Sequence, residues 1–479
     1  MVSTRLTRPV PEYWVCGIRF HMFPLVLSVT ALVFAFASAS AQPVASTPPL
    51  GWNSWDAYGL TINEADFRAN TAVLASLRQY GWQYSVIDEG WYMRDPFAAT
   101  VDARKYVWDE HGILIPDVGR FPSAANGAGF KPLADWVHSQ GLKFGIHIVR
   151  GIPRQVVQEN LPIAGTDFRA TDAADTGSPC PWDQGNWGVR DNAAGQAYYD
   201  SMLKLYASWG LDFIKVDCIS DHPYRPTEIR QIAEAIRKTG RLIVLSLSPG
   251  PTQLENAAEV ARYAQMWRIT DDHWDGWSFK HDSPASEYPF GLKDEFDRIA
   301  KWAPYVKPGN WPDPDMLPEG WLGPHPGKDK ERQTNYTHDE QRTEITLWAI
   351  SRSPLILGAN LTRLDGFTRS LITNKEVLDL NQNAVESKPG LSPLQGKTEN
   401  LPGILRFWYA RTGGPDPKQY IAVFNLADDT TVSNLPWMLF YLSDHGHALF
   451  DVWTGRHIPA AGSLHIELPA HACALFRVD

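Results

Sequence analysis

The sequence predicts an α/β protein in which a (β/α)8 (TIM) barrel is followed by a C-terminal antiparallel β-sandwich. Three observations carry this. From about Pro48 to Gln382, short apolar runs of strand length alternate with amphipathic stretches of helical length, the pattern of a parallel sheet covered by helices. That region supplies eight strand candidates and no Gly-rich phosphate turn, which favours a closed barrel over an open doubly wound sheet. From about Gly390 onward the pattern changes to short β-rich runs broken by Gly, Pro and Asp.

Taken in order, residues 1–41 form a leader. An apolar stretch, Phe23 to Phe36, follows Arg5, Arg8 and Arg19 and precedes Ala37-Ser38-Ala39-Ser40-Ala41, the layout of a removable export signal with cleavage after Ala41. Pro24 and small residues keep it short of the roughly 20 residues of a membrane span. Residues 48–390 are the predicted barrel. Its strands fall near Leu50–Asn53, at Tyr84–Ile87, Lys143–Ile148, Phe213–Val216, Leu242–Leu247 and Gln265–Ile269, ahead of Pro312, and at Leu355–Leu357. Helices are expected at Asp66–Tyr80, Lys131–Gln140, Ala194–Trp209, Pro226–Thr239 and His338–Ser351. Residues 391–479 are the predicted sandwich, with strands at Gly403–Tyr409, Tyr420–Phe424, Ala448–Asp451 and Ser463–Leu468. No low-complexity linker separates the two, so a packed interface is expected.

Composition narrows the function. The 479 residues carry 44 basic and 54 acidic side chains, a net charge of −10 with the basic residues dispersed, which argues against a nucleic-acid binder. With 44% hydrophobic and 12% aromatic residues the chain is not disordered. Packing accounts for more than half of the 20 tryptophans; the rest suit stacking on sugar rings. Cys16 lies in the leader, and Cys180, Cys218 and Cys473 form no C-x-x-C pair, which removes zinc-ribbon and thioredoxin-like chemistry. In an oxidising compartment Cys180–Cys218 is the expected bridge, because Cys218 adjoins a carboxylate placed in the site below; Cys473, in an apolar run, is expected to be a buried thiol.

Functional side chains of such a barrel sit where strands end and βα loops begin. Acidic residues cluster there: Asp88 and Glu89, Asp217, Asp271 and Asp272, Asp313 and Asp315. With Trp52, Trp55, Trp91, Trp267 and Trp311 nearby, they have the makeup of a carbohydrate site. Glycoside cleavage needs two carboxyl groups, one to protonate the leaving oxygen and one to attack the anomeric carbon or activate water. Asp217 is the nucleophile candidate, with Lys215 on the same side by the strand period of two and able to keep it ionised. Asp272 is the acid/base candidate, its proton affinity raised by aromatic neighbours, and Asp271 is its rival. No H-E-x-x-H or G-x-S-x-G motif is present.

Seven ordered segments resemble glycoside hydrolase family 27, the alpha-galactosidase (melibiase) family. They are Pro49-Leu50-Gly51-Trp52-Asn53-Ser54-Trp55, Ile87-Asp88-Glu89-Gly90-Trp91, Gly141-Leu142-Lys143-Phe144-Gly145-Ile146, Trp209 through Asp217, Trp267-Arg268 through Trp277, Trp311 through Leu317, and Leu347 through Leu361. The resemblance implies a retaining, exo-acting hydrolase with Asp217 as nucleophile and Asp272 as acid/base, because the family's Asp-x-x-Asp-x-Trp pattern falls on Asp272, Asp275 and Trp277. It places sugar contacts at Trp55, Asp88, Glu89, Lys215, Arg268 and Asp315, and it implies no metal or organic cofactor. Three departures bear on the sugar. Asp88-Glu89 replaces a pair of aspartates, His147 with Arg150 after it stands where tyrosine is usual, and Ser248 stands where a glutamate usually helps read the 2-position. Glu at the second place resembles relatives active on beta-L-arabinopyranosides, sugars that match alpha-D-galactosides in ring configuration but lack the C6 hydroxymethyl. The expected partner is a carbohydrate with a terminal galactose-configured sugar, met outside the cytoplasm, with no nucleic acid and no membrane bound after cleavage of the leader. An alpha-glucan exo-hydrolase and a non-catalytic sugar-binding protein are the more distant alternatives.

Overall fold

A computed structural model describes residues 44–96, 103–221, 223–281, 287–323, 330–391 and 404–479; the predicted leader and the start of the strand predicted from Gly403 lie outside them. Eight parallel strands are present: β1 (Leu50–Asn53), β2 (Tyr84–Ile87), β3 (Lys143–Val149), β4 (Phe213–Asp217), β5 (Val244–Leu247), β6 (Met266–Arg268), β7 (Trp311–Asp313) and β8 (Leu355–Leu357). They pair in chain order from β1 to β7, with β8 returning beside β1. The cylinder closes through Leu317 after β7, whose N–H donates to Ile356 and whose carbonyl accepts from Gly358. A closed barrel is what the sequence predicts.

The helices around it have readable ends. Pro226 begins α4 (Pro226–Thr239) at a position where its missing N–H costs nothing, and Gly240, at φ 71°, ends it in the left-handed region. Asn192 caps α3 (Ala193–Trp209) by accepting from Gly195 N. Thr337 and Glu340 form a reciprocal capping box on α7 (His338–Ser351). The remaining helices used below are α1 (Glu64–Ser76), α2 (Lys131–Ser139), α5 (Ala257–Tyr263), α6 (Leu292–Trp302) and α8 (Lys375–Asn383).

The strand period of two divides each strand between two environments. Ile146, Ile148, Ile214, Val216, Leu245, Leu247 and Trp267 face the helical layer. Tyr84, Val86, Phe213, Val244, Met266, Trp311 and Ile356 form a separate cluster that plugs the barrel interior. Two and four residues further along the same faces come Asp88, Lys215 and Asp217, Ser246 and Ser248, Arg268, Asp313 and Asp315. The inward parity that builds an apolar floor at one end therefore builds a polar chamber at the other.

The strand Ala384–Pro389 (β9) starts a six-stranded antiparallel sheet with β10 (Leu405–Thr412), β11 (Gln419–Asn425), β13 (His447–Asp451), β14 (His457–Ala461) and β16 (Cys473–Val478), in the order β9-β10-β11-β16-β13-β14; β12 (Thr431–Leu435) pairs with β15 (Leu464–Leu468) in a second sheet. Thus the sheet opens upstream of residue 391. Tyr420, Ala422 and Phe424 pack on the barrel side, and Ile421 and Val423 pack between the two sheets. The interface is dense: Phe424 meets Phe296 of α6 edge-on at 5.0 Å, and Trp277 stacks on His471 with centroids 3.9 Å apart. His471 is held in turn by Glu340 at 2.7 Å and Asp428 at 3.0 Å.

Candidate active site

The polar end of the barrel opens as a cavity of about 200 Å³ lined in part by Trp55, Asp56, Asp88, Glu89, Lys215, Asp217, Ser248, Arg268, Asp272 and Asp315. Nine of the ten residues named from sequence as catalytic or sugar-binding are therefore brought together. The tenth, His147, is buried behind Asp217, with Nε2 3.4 Å from Oδ2, and supports the carboxylate without facing the cavity.

Asp217 stands at the end of β4. Cys218 N donates to its Oδ1 at 2.6 Å. Burial works against its charge, but the hydrogen bond and charge of His147, the Lys215 ammonium and the Cys218 N–H outweigh that and hold its carboxyl below the ordinary value. Lys215 acts on Asp217 through space; its direct partner is Asp88, at 2.9 Å. Asp88 also accepts from Asn53 Nδ2 at 2.7 Å and donates its N–H to Ser54 Oγ at 2.9 Å. Burial opposes ionisation there as well, and Lys215, His147, the Glu89 N–H and Asn53 override it, so Asp88 stays charged far below the usual range.

Asp272 is the opposite case. Its carboxyl opens onto the cavity, 42% exposed, yet protein surrounds it on its other sides. That desolvation, opposed by Arg268 and reinforced by Asp315, Asp217 and Asp271, lifts its pKa to about 6. Arg268 Nη2 lies 3.2 Å from Asp272 and 2.7 Å from Asp315, and it donates to the Asp271 carbonyl at 2.7 Å. Asp271 does not line the cavity, which leaves Asp272 to face a substrate.

The expected bridge forms: Cys180 and Cys218 are joined, and Cys473 is a buried free thiol. The bridge ties a loop carrying Trp182 and Asp183 to the residue after Asp217. Trp182 and Asp183 line the cavity with Arg104, which pairs with Asp183 at 3.3 Å and lies 3.9 Å from Glu89. Sequence reasoning missed these three, because they come from inserted loops and not from strand ends. Asp56 was also missed, although it follows β1 within the same strand-end pattern; it is buried, and its proton affinity is raised well above the ordinary value by burial and by Asp315. The tryptophan expectation needs correction. Trp52, Trp91, Trp267 and Trp311 are all in the core, Trp52 and Trp267 because their parity faces the helices, Trp91 because it packs on Phe130 and Tyr206, and Trp311 because it forms the floor. The indoles at the cavity are Trp55, Trp182 and Trp274.

Two carboxyl groups of opposed proton affinity, set in a polar chamber at the strand ends of a (β/α)8 barrel, define a glycoside hydrolase. Comparison with known proteins specifies it further. The sequence family described as Alpha galactosidase A matches residues 182–383, and the Alpha galactosidase C-terminal beta sandwich domain matches residues 405–478. The crystal structure of a family 27 beta-L-arabinopyranosidase from Geobacillus stearothermophilus is 40% identical, covers 91% of this chain and 97% of its own, and superimposes with a TM-score of 0.82. Alpha-galactosidase A of Cellvibrio japonicus is 28% identical over 95% of this chain and 98% of its own, and human Alpha-galactosidase A is 27% identical over 90% and 91%. The chain belongs to glycoside hydrolase family 27, and its substrate is a carbohydrate.

Proposed function

We propose that this chain is a retaining exo-glycosidase, an alpha-galactosidase that releases terminal alpha-D-galactose from oligo- or polysaccharides. The carrying observation is the divergence of the two carboxyls on one cavity: Asp217 held ionised, Asp272 held protonated up to about pH 6. In the first step an Asp217 oxygen bonds to the anomeric carbon as the glycosidic C–O bond breaks, and the Asp272 proton passes to the leaving oxygen. In the second, Asp272, now ionised, takes a proton from water as the water oxygen displaces Asp217 and frees the sugar with its original anomeric configuration. Asp88, Lys215, Arg268 and Asp315 supply fixed charges for the ring hydroxyls, and the small chamber takes one terminal sugar. The predicted leader supports export to the periplasm or the medium, which also suits the Cys180–Cys218 bridge.

The pH profile tests the pair. Activity needs Asp217 charged and Asp272 neutral, so kcat/KM should be high from below pH 4 to near 6 and fall tenfold per unit above about 6. A profile still rising at pH 8 would exclude Asp272 as the proton donor. Proton NMR of the first-formed product should give the alpha anomer.

A second reading concerns the sugar. Glu89 adds a methylene where an aspartate is usual, its carboxyl is held among Arg104, Asp183 and Asp217, and the 40%-identical neighbour is a beta-L-arabinopyranosidase, one variant of which was solved with arabinose. This favours a ring lacking the hydroxymethyl. Glu89→Asp should then raise kcat/KM for p-nitrophenyl alpha-D-galactoside relative to the beta-L-arabinopyranoside by roughly 10- to 100-fold, the scale of one methylene in a fitted pocket. An unchanged ratio removes Glu89 as the discriminator.

A further inference from the structure

Immediately after Asp272 the chain buries an imidazole among carboxyl groups. His273 is 3% exposed. Its Nε2 lies 2.7 Å from Glu344 Oε1 on α7 and 3.0 Å from the Tyr336 hydroxyl, and its Nδ1 lies 3.2 Å from Glu295 Oε1 on α6. Buried Glu319 adds a second like charge facing Glu344, and the Thr270 hydroxyl, two residues before Asp272, donates to the Pro314 carbonyl at 3.5 Å. The Tyr336 hydroxyl also donates to the Trp274 carbonyl at 3.1 Å. On the cavity side His273 N donates to Asp315 Oδ2 at 3.0 Å, and Asp315 pairs with the same Arg268 that reaches Asp272. Thr270, His273 and Trp274 are thus pinned from three directions, and Asp271 and Asp272 are held between them.

For stability alone this is a poor use of the core. Burial raises the proton affinities of Glu295, Glu319 and Glu344 well above the ordinary value, and well-packed apolar residues serve as well or better in such places. What the network does supply is a fixed direction for the loop that carries the proton donor. A displacement of about 1 Å at a reacting group can cost roughly 100-fold in rate.

We propose that His273 is a positioning residue of the acid step: hydrogen-bonded to Glu344 and seated against Glu295, it holds the Asp272 carboxyl against the oxygen of the departing sugar. The inference rests on Asp272 being the proton donor, and leaving-group dependence separates the two. Departure of a sugar needs the proton; departure of 2,4-dinitrophenolate does not. In His273→Phe, kcat/KM for a disaccharide substrate should fall about 100-fold while that for the 2,4-dinitrophenyl glycoside changes less than about threefold, with His273→Gln in between. Retained dinitrophenyl glycoside cleavage also reports that the variant is folded. If His273→Phe does not fold, His273→Gln and Glu344→Gln carry the same comparison. Equal losses on both substrates, or no loss on either, overturn the inference. Asp272→Ala is the reference: should it lack the selective loss, the assignment of Asp272 itself fails, whereas selectivity in Asp272→Ala without selectivity at His273 sinks only the positioning role.

Discussion

Asp217→Ala is expected to lower turnover by roughly four orders of magnitude or more while leaving the protein folded, because the lost carboxylate forms the covalent bond on which both half-reactions depend. Its partners stay in place. Lys215 keeps its bond to Asp88, and His147 remains buried behind the vacated position. The removed carboxylate leaves room beside the anomeric carbon, so added azide should restore cleavage of an activated aryl galactoside and yield the glycosyl azide of inverted configuration. The azide nitrogen bonds to that carbon as the aryloxide departs. Near-normal activity without azide would show that another group is the nucleophile, and rescue with retained configuration would show that attack comes from the other face.

The largest effect on stability is expected at Arg150. This buried guanidinium lies 2.7 Å from Glu228 on α4, donates from Nε to the Cys218 carbonyl at 2.6 Å, and reaches the Ser178 carbonyl at 3.2 Å. Glu228 also accepts from the Tyr199 hydroxyl at 2.6 Å. Arg150→Ala strands the Glu228 carboxylate in the interior, whose burial already favours its protonated form. Removing one partner of such a pair costs about 3–5 kcal/mol. A denaturant titration measures this, and a loss below about 1 kcal/mol would mean that Glu228 takes up a proton and stays satisfied by Tyr199. Arg150→Lys should recover only part of the loss, since one ammonium cannot serve Glu228, Cys218 and Ser178 together. Activity should fall with stability, because Arg150 holds the carbonyl of Cys218, the residue whose N–H donates to Asp217.

Much of the barrel was legible because its strands are apolar runs bounded by charged residues. Tyr84–Ile87, Leu355–Leu357 and the helix Pro226–Thr239 appear with the predicted limits. Where limits moved, tertiary contacts moved them. Leu242 is not in β5: it is 71% exposed, and Arg241 before it is still bonded to the Gly210 and Leu211 carbonyls in the turn. The seventh strand runs through Pro312 and does not stop short of it. Trp311 N donates to Gln265 on the β6 side, so the missing proline N–H points the other way, toward β8, where the described residues form no ladder. In the site, strand-end carboxylates were readable because parity and position fix them. Arg104, Trp182 and Asp183 were not, since an inserted loop has no periodicity from which its direction can be read. His147 lies deeper than its inward parity alone indicates, because the depth at which an inward side chain stops depends on what lies above it, here Asp217.

The stacking of Trp277 on His471 means that the rear module is more than an appendage. Trp277 closes the segment that begins at Arg268 and carries Asp272, so the aromatic plane offered by the β-sandwich acts as a backstop for the catalytic loop. Barrel and sandwich are accordingly bound to be inherited together: a shuffled or grafted module would keep the chemistry only if it presented a flat ring, fastened at both nitrogens, in the place His471 now holds.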